Sequence, residues 1–447
     1  MLEERVSKTR RLFSYVYILF ILAITTVPRV KNFYLISSGS SGTVDLLMLG
    51  VTAVYIVLTL MLIREDSLTP SSRQTVLSLD FLLIMYAGMG ILTQSLSRVR
   101  STPMEWLGLF TGNGAASVAL ACAVVLLIGR NIKSIKDLVV PIAIFVVVQD
   151  AIIFVQLLGF NPFWLYGESD FYGTGIITNI AKSYAGTIGN IGLLSNVSGM
   201  LAVFLMVMYF QGGLKMSHRI IAMSAGCITI WVTVLLGTSA VLVGYCVVLA
   251  VLGYLYMCRK TGVPYTVTVL FVVLGISAVA ILYFVDIPVT TLHEVHEILH
   301  GNASGEFGSS RVAIWSEFIE AVKGEAVFGK GLDSAGLDGL GYFVRIDDAT
   351  QTVFRGMCVD GHSKWINILY GGGILTLLPF VLYFVVLFYY LFRKYVRTGR
   401  VDVLACTLAV VFWVTVWSFS VSYINVDCVF YCVLGMAHSI LREEQYA

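Results

Sequence analysis

The sequence predicts an all-α, polytopic integral membrane protein with about 12 transmembrane helices, and its composition is the first reason. Of the 447 residues, 58% are hydrophobic and 13% are charged, and the mean hydropathy is +0.86. Soluble globular proteins carry about 25% charged residues. The second reason is that apolar runs of about 20 residues, long enough to cross a bilayer, recur along the chain. These observations argue against a soluble enzyme, a disordered chain and a nucleic-acid binder.

The predicted spans follow one another along the chain with short connections, apart from one long loop. They cover residues 12–28, 44–63, 76–95, 108–129, 138–160, 190–211, 219–236, 239–258, 264–285, 366–392, 402–420 and 424–441. The turn signal Gly237-Thr238-Ser239 divides the long apolar run 219–258. We therefore expect spans one to nine in 1–285, a large loop at 286–365, and spans ten to twelve in 366–447, all in one integrated domain.

Lysine and arginine are concentrated on one side of the predicted membrane. Of the 29 basic residues, 18 belong to the termini and connections on that side, and five belong to the shorter connections on the other side. Cytoplasmic connections carry the excess of Lys and Arg in membrane proteins. Both termini are therefore predicted to be cytoplasmic, and the 286–365 loop is predicted to be external.

The large loop is much more polar than the rest of the chain. It holds 12 acidic and six basic residues among 80. Long connections are usually functional or disordered. A second external segment, 161–189, is rich in Gly, Tyr and Asn. Function is expected in these two regions.

Inside the large loop, apolar residues from Trp315 onward repeat at helical spacing, and Ser309 or Ser310 is a suitable N-cap. Arg311 then lies in the first turn, where a cation opposes the helix dipole. Free N–H groups beside a guanidinium form an anion site. Arg311 is therefore a candidate anion ligand, and a pair with a loop carboxylate such as Glu306 is the alternative.

His362 lies just outside the membrane, where the tenth predicted span begins. A helix N-terminus disfavours the imidazolium form, and a neutral imidazole can accept a proton as a general base. His362 is therefore a candidate base, and a surface His that caps the span is the alternative.

Small residues mark the entry to the sixth predicted span, in the run Gly186-Thr187-Ile188-Gly189-Asn190. Such residues let the backbone pack closely or approach a ligand. Lys182 is the one external cation predicted between spans five and nine. A plain re-entry loop is the alternative interpretation.

Two other motifs in the large loop suggest different chemistry. The run from His296 to His300 matches HExxH, which presents two zinc ligands on one helical face. No third ligand stands at a known spacing, and 291–300 also fits an amphipathic interfacial helix. The run 324–331 resembles a phosphate-binding loop but lacks the Ser or Thr that would hold magnesium. We predict no metal and no cofactor, and keep a membrane metalloprotease as a third hypothesis.

Four acidic residues lie in or near the predicted spans: Asp45, Asp80, Asp150 and Asp427. Acids within a membrane are functional candidates by default. Asp45 and Asp427 stand near span ends, where hydration is available. Asp80 and Asp150 could belong to a proton path or could pair with Lys or Arg.

Taken in order, these segments resemble the bacterial O-antigen ligase and polysaccharide polymerase family of membrane glycosyltransferases. The matching motifs are Gly-Thr-x-Gly-Asn at 186–190, Arg-x-x-x-Trp at Arg311 and Trp315, Gly-x-Gly at 329–331, and His362 before the glycines 371–373. The resemblance covers roughly residues 150–390. It implies a GT-C-like fold whose external loop contains short amphipathic helices.

The chain departs from the family pattern at three places. Ser363 stands where the family usually has Asn, and Asn190 is followed by Ile191 and Gly192. A second phosphate-binding Arg of many members has no counterpart in 237–240. Candidates for the replacing cation, and for diphosphate or glycan contacts, are Lys182, Arg345, Arg355 and Lys364, with Asn190 and Trp315 as further substrate-binding residues.

By this resemblance, the donor is a glycan on undecaprenyl diphosphate, and the acceptor is a lipid-linked glycan or a lipid-core sugar. The expected reaction is an inverting glycosyl transfer on the outer face of the bacterial cytoplasmic membrane, with Arg311 on the diphosphate and His362 as base. A repeat-unit polymerase is favoured over a ligase, and a chain-length regulator is a candidate partner. The alternative function is a transporter or flippase for polysaccharide or lipid-linked glycan.

Overall fold

The computed structural model describes most of the chain, and a helix lies at each of the twelve predicted apolar segments. The described residues are 2–26, 43–61, 70–97, 114–158, 186–188, 191–287, 290–302, 304, 307–332, 342–347, 352–357, 360–420 and 424–442.

The first nine helices precede the large loop and are α1 (Leu2–Thr25), α2 (Thr43–Met61), α3 (Pro70–Leu96), α4 (Ala115–Asn131), α5 (Val139–Leu157), α6 (Ile191–Met208), α7 (Met216–Leu235), α8 (Ser239–Thr261) and α9 (Pro264–Phe284). The loop contains α10 (Thr290–Leu299), α11 (Phe307–Val322), β1 (Tyr342–Asp347) and β2 (Thr352–Met357). The last three helices are α12 (Lys364–Thr398), α13 (Val401–Trp417) and α14 (Ile424–Arg442).

Among the described residues, seven helices are long and apolar enough to cross a membrane, and they lie in α3, α5, α6, α7, α8, α9 and α12. The apolar parts of α2, α4 and α13 are shorter. The chain therefore has the character of a helical membrane protein, and the count of 12 spans stays a prediction.

The centre of the bundle is α13, which packs against α6, α8, α12 and α14. Its residues from Asp402 to Trp413 are all buried. Close packing here depends on small residues. A Cβ at Gly199 of α6 or at Gly244 of α8 would stand 2.6 Å or 2.9 Å from the ring of Phe412. At the periphery, α9 buries only Val267, as expected of a helix that faces lipid.

The described part of the chain is helical as predicted, with one element that was not foreseen: β1 and β2 form an antiparallel hairpin in the large loop. Both strands are rich in aromatic and β-branched residues, which favour extended backbone. Helical periodicity elsewhere in the loop gave no indication of these strands.

The predicted start of the loop helix is also wrong. The helix α11 begins at Phe307, so Ser309 and Ser310 lie inside it and neither is the N-cap. Arg311 is therefore one turn further into the helix than predicted. Helical side chains lean toward the N-terminus, which keeps the guanidinium near the first turn.

Candidate active site

The long helix α12 is broken near its beginning, and the loop segment 326–331 fills the break. Gly373 has non-helical dihedral angles, with φ of 62° and ψ of −170°. An unbroken helix would pair the amides of Ile374 and Leu375 with the carbonyls of Tyr370 and Gly371. Those four groups instead bond to another part of the chain.

The replacement bonds come in two pairs. The amides of Ile374 and Leu375 donate to the carbonyls of Ala326 and Val327, at 2.8 and 3.2 Å. The carbonyls of Tyr370 and Gly371 accept from the amides of Lys330 and Gly331, at 2.9 and 2.7 Å. Unpaired backbone groups are costly at membrane depth, and here all four are satisfied.

Glycine is required where the two segments meet. A Cβ at Gly373 would overlap the carbonyl of Val327, and its positive φ is unfavourable for other residues. A Cβ at Gly329 would lie 2.5 Å from the amide nitrogen of Gly373. The Gly-x-Gly motif and the glycines of α12 are thus two halves of one backbone contact, which the sequence analysis did not foresee.

His362 lies in a tightly bonded loop, 360–363, that leads into α12. Its φ is 49°, a left-handed value that few non-glycine residues adopt. The buried Asp360 carboxylate accepts from the His362 amide at 2.7 Å. The side chain of Asn367 accepts from the Gly361 amide at 2.7 Å. These bonds hold the loop in a conformation that ordinary propensities disfavour, as is common at functional sites.

The hydrogen bonds of His362 indicate which ring nitrogen can act as a base. Nδ1 lies 3.0 Å from the carbonyl oxygen of Asp360. A carbonyl can only accept, so Nδ1 must carry the proton. In the neutral ring, Nε2 then carries no proton and is the nitrogen that can accept one.

The helix α11 is fixed against this loop by Trp315. Its indole Nε1–H donates to the carbonyl of Gly361 at 2.9 Å. Below it, Ile314, Phe318 and Val322 form a separate apolar cluster with Tyr370 of α12. Trp315 therefore joins the helix that carries Arg311 directly to the residue next to His362.

Arg311 stands one turn before Trp315 and is partly buried. Burial lowers the pKa of its guanidinium, and the Glu294 carboxylate on α10 raises it. A guanidinium stays charged in either case. Glu306, the predicted alternative partner, lies outside the described residues, and Glu294 supplies a carboxylate in its place.

Lys364 is buried beneath the His362 loop. Its Nζ lies 3.8 Å from Oδ2 of Asp427, and both side chains are at most 3% exposed. The indole of Trp417 donates to the other carboxylate oxygen of Asp427 at 3.3 Å, and its ring lies under the Lys364 ammonium. Asp427 was expected to be hydrated near a span end, but it is 2% exposed and serves as a buried counter-ion.

The other predicted contact residues are less fully described. Lys182 and Asn190 lie outside the described residues. Arg345 is paired in register with Phe354, and Arg355 with Val344. The two arginines therefore occupy neighbouring register positions of the hairpin.

The turn 186–188 is held by two glutamines of α5. Gln156 accepts from the Gly186 amide at 2.9 Å, and Gln149 donates to the Thr187 hydroxyl at 2.7 Å. Both glutamines are buried. Neither glutamine was predicted as a site residue, although two Gln residues seven apart on one face of an apolar helix are a usable signal.

The HExxH histidines lie at the end of α10 with their Nδ1 atoms on backbone carbonyls. His296 faces the carbonyl of Leu282 at 2.7 Å, and His300 faces that of His296 at 2.9 Å. Within the described ranges, no group of three His, Cys, Asp or Glu side chains is arranged to hold a metal ion. Nearby, the hydrogen bond that His293 donates to the Asp286 carboxylate raises the pKa of His293.

Comparison with protein-family models and with curated proteins gives no match for this chain. The family resemblance therefore rests on the motifs alone, and function has to be argued from the geometry around His362.

Proposed function

We propose that the protein is a membrane glycosyltransferase that uses a lipid-diphosphate-linked glycan as donor, with repeat-unit polymerisation favoured over ligation. One observation carries the proposal. Trp315 bonds the Arg311 helix to the loop in which the Asp360 carbonyl leaves Nε2 of His362 as the basic nitrogen.

The geometry of His362 supports a role as general base. The acceptor hydroxyl gives its proton to Nε2 while its oxygen bonds to the anomeric carbon of the donor. The bond from that carbon to the diphosphate oxygen breaks, and the electron pair leaves with the diphosphate. A single displacement of this kind inverts the anomeric configuration.

Arg311 supports departure of the diphosphate. A guanidinium binds phosphate oxygens in a bidentate manner and stabilises charge that develops on the leaving group. The competing carboxylate of Glu294 stays nearby when no substrate is bound. Lys364 remains a candidate second cation. Its ammonium group would have to move away from the Asp427 carboxylate before it could contact a diphosphate.

Two substitutions test the proposal in cells that depend on this protein for surface glycan. Arg311→Ala and His362→Ala should each reduce polymer or ligated product at least about 100-fold, because each removes charge stabilisation or proton transfer. His300→Ala is the matched control in the same loop and should leave the product unchanged. Glycan ladders on gels measure product, and membrane yield and thermal midpoint measure folding.

The outcomes separate the three hypotheses. Normal glycan ladders in both the Arg311 and His362 variants would contradict a glycosyltransferase. Loss of activity in His300→Ala, or on addition of a chelator, would indicate the metalloprotease. A flippase should tolerate His362→Ala and depend on Asp80 or Asp150.

A second experiment distinguishes a polymerase from a ligase. The purified protein is given lipid-linked repeat units alone, since only a polymerase lengthens them without a core acceptor.

A further inference from the structure

A basic cleft lies at the end of the bundle opposite to His362. It has a volume of about 310 Å³, and its lining includes Lys133, Lys136, Gln211, Arg400, Asp402 and Ile440. His362 precedes the first residue of α12, whereas Arg400 follows its last turn. The cleft is therefore separate from the candidate active site by the length of α12.

The cleft carries uncompensated positive charge. Arg400 is neutralised by Asp402, with two hydrogen bonds of 3.0 and 2.6 Å. Within the described ranges, Lys133 and Lys136 form no ion pair. Two lysines thus line the cleft without an ion-pair partner among the described residues, and an anion is the complementary ligand.

Hydrogen bonds from residues outside the cleft hold two of its lining residues in place. The buried Lys394 donates to the carbonyl of Ile440 at 2.7 Å. Arg219 donates to the carbonyl of Gln211 at 2.8 Å. Nζ of Lys136 lies against Gly213, where an added Cβ would stand 3.0 Å from it. The absence of a side chain at Gly213 leaves room for this ammonium group.

We propose that the cleft binds the phosphate of an anionic phospholipid headgroup. Basic pockets at the cytoplasmic ends of membrane helices suit such headgroups, and this end of the bundle is predicted to be cytoplasmic. Phe210 precedes Gln211 and Met216 begins α7 at the end of the same connection, and their apolar side chains are 66% and 60% exposed. They offer a surface for the acyl chains, which favours a lipid over a free phosphate ion.

The test uses the full-length protein, purified in detergent, with added phosphatidylglycerol, phosphatidylcholine or inorganic phosphate. Binding is measured by native mass spectrometry and by the rise in thermal midpoint. The variant is Lys133→Gln with Lys136→Gln. Lys260→Gln is the matched control, since Lys260 is an exposed lysine of α8 on the same predicted side and outside the cleft.

We expect phosphatidylglycerol to raise the midpoint of the unmodified protein and phosphatidylcholine to leave it unchanged. The double Gln variant should bind phosphatidylglycerol about 30-fold more weakly, because each Lys near an anionic headgroup contributes about fivefold. The Lys260 variant should bind as the unmodified protein does. The double variant Lys133→Arg with Lys136→Arg should retain binding, which separates charge from a folding defect.

Three results would overturn the proposal. Equal binding of both lipids would show that charge is not recognised. Undiminished phosphatidylglycerol binding by the double Gln variant would place the lipid elsewhere. An equal rise in midpoint with inorganic phosphate alone would assign the cleft to a free anion.

Discussion

At the scale of single residues, Asp80 joins four helices at the end of the bundle that is predicted to be cytoplasmic. Its carboxylate lies 2.8 Å from Arg442, 3.6 Å from Arg130 and 3.7 Å from His438. His438 in turn bonds to the hydroxyl of Tyr383 at 2.8 Å. The sequence left open a proton path or a structural pair for Asp80, and the observed contacts are those of a structural pair.

Asp80→Asn should lower the free energy of unfolding by about 3 kcal/mol, since removing one partner of a buried ion pair leaves uncompensated charge. Denaturant or thermal unfolding in detergent measures the change. The control is Asp286→Asn, whose carboxylate is exposed and should contribute less than about 1 kcal/mol. Equal effects of the two substitutions would argue that Asp80 is not a structural centre.

Residue type suggested candidate roles, a base for His362 and an anion ligand for Arg311, and both roles stay predictions. The helix start on which the Arg311 role depended was placed one turn too late. The partners Asp360, Glu294 and Asp427 could not be predicted, because their contacts depend on how separate segments pack.

At the scale of elements, apolar run length was enough to locate the long helices. It could not locate the polar ends of these helices. For example, the predicted span stops at 392, whereas α12 continues to Thr398. It also could not reveal the contact between 326–331 and the break in α12. That contact joins segments about 40 residues apart through backbone groups, which have no signature in side-chain pattern.

Gly373→Ala should destabilise the protein by at least about 2 kcal/mol, because alanine is strained at positive φ and its Cβ overlaps Val327. Hydrogen exchange should accelerate at the amides of Lys330, Gly331 and Ile374. The control is Gly275→Ala, where a Cβ meets nothing within 4 Å and helix propensity should slightly improve. Unchanged exchange at Lys330 would mean that the bonds across the break do not depend on Gly373.

At the scale of the whole molecule, the two polar ends of the bundle have different chemistry. The end with His362 carries the net-acidic loop, and 18 of the 29 lysines and arginines belong to termini and connections predicted to lie at the other end. Charge asymmetry of this kind orients helical membrane proteins. The prediction of both termini on the cytoplasmic side rests on this asymmetry and on an even number of spans.

Reporter fusions test that topology. A fluorescent protein fused after Ala447 should fluoresce, and a phosphatase inserted near Asn302 should be active, because the first requires the cytoplasm and the second the outside. A phosphatase fused after Ala447 is the reciprocal control and should be inactive. Activity of the phosphatase at both positions would show that the number of spans between them is wrong.

The bonds between 326–331 and α12 also change the chain entropy of the external region. They divide the 286–365 loop into two closed rings, one on each side of residues 326–331. Closure entropy grows only slowly with ring length, so each ring loses little further freedom on shortening. The two rings are not independent, because Trp315 in the first ring donates a hydrogen bond to Gly361 in the second. Displacement of either ring therefore requires that this bond stretch or break.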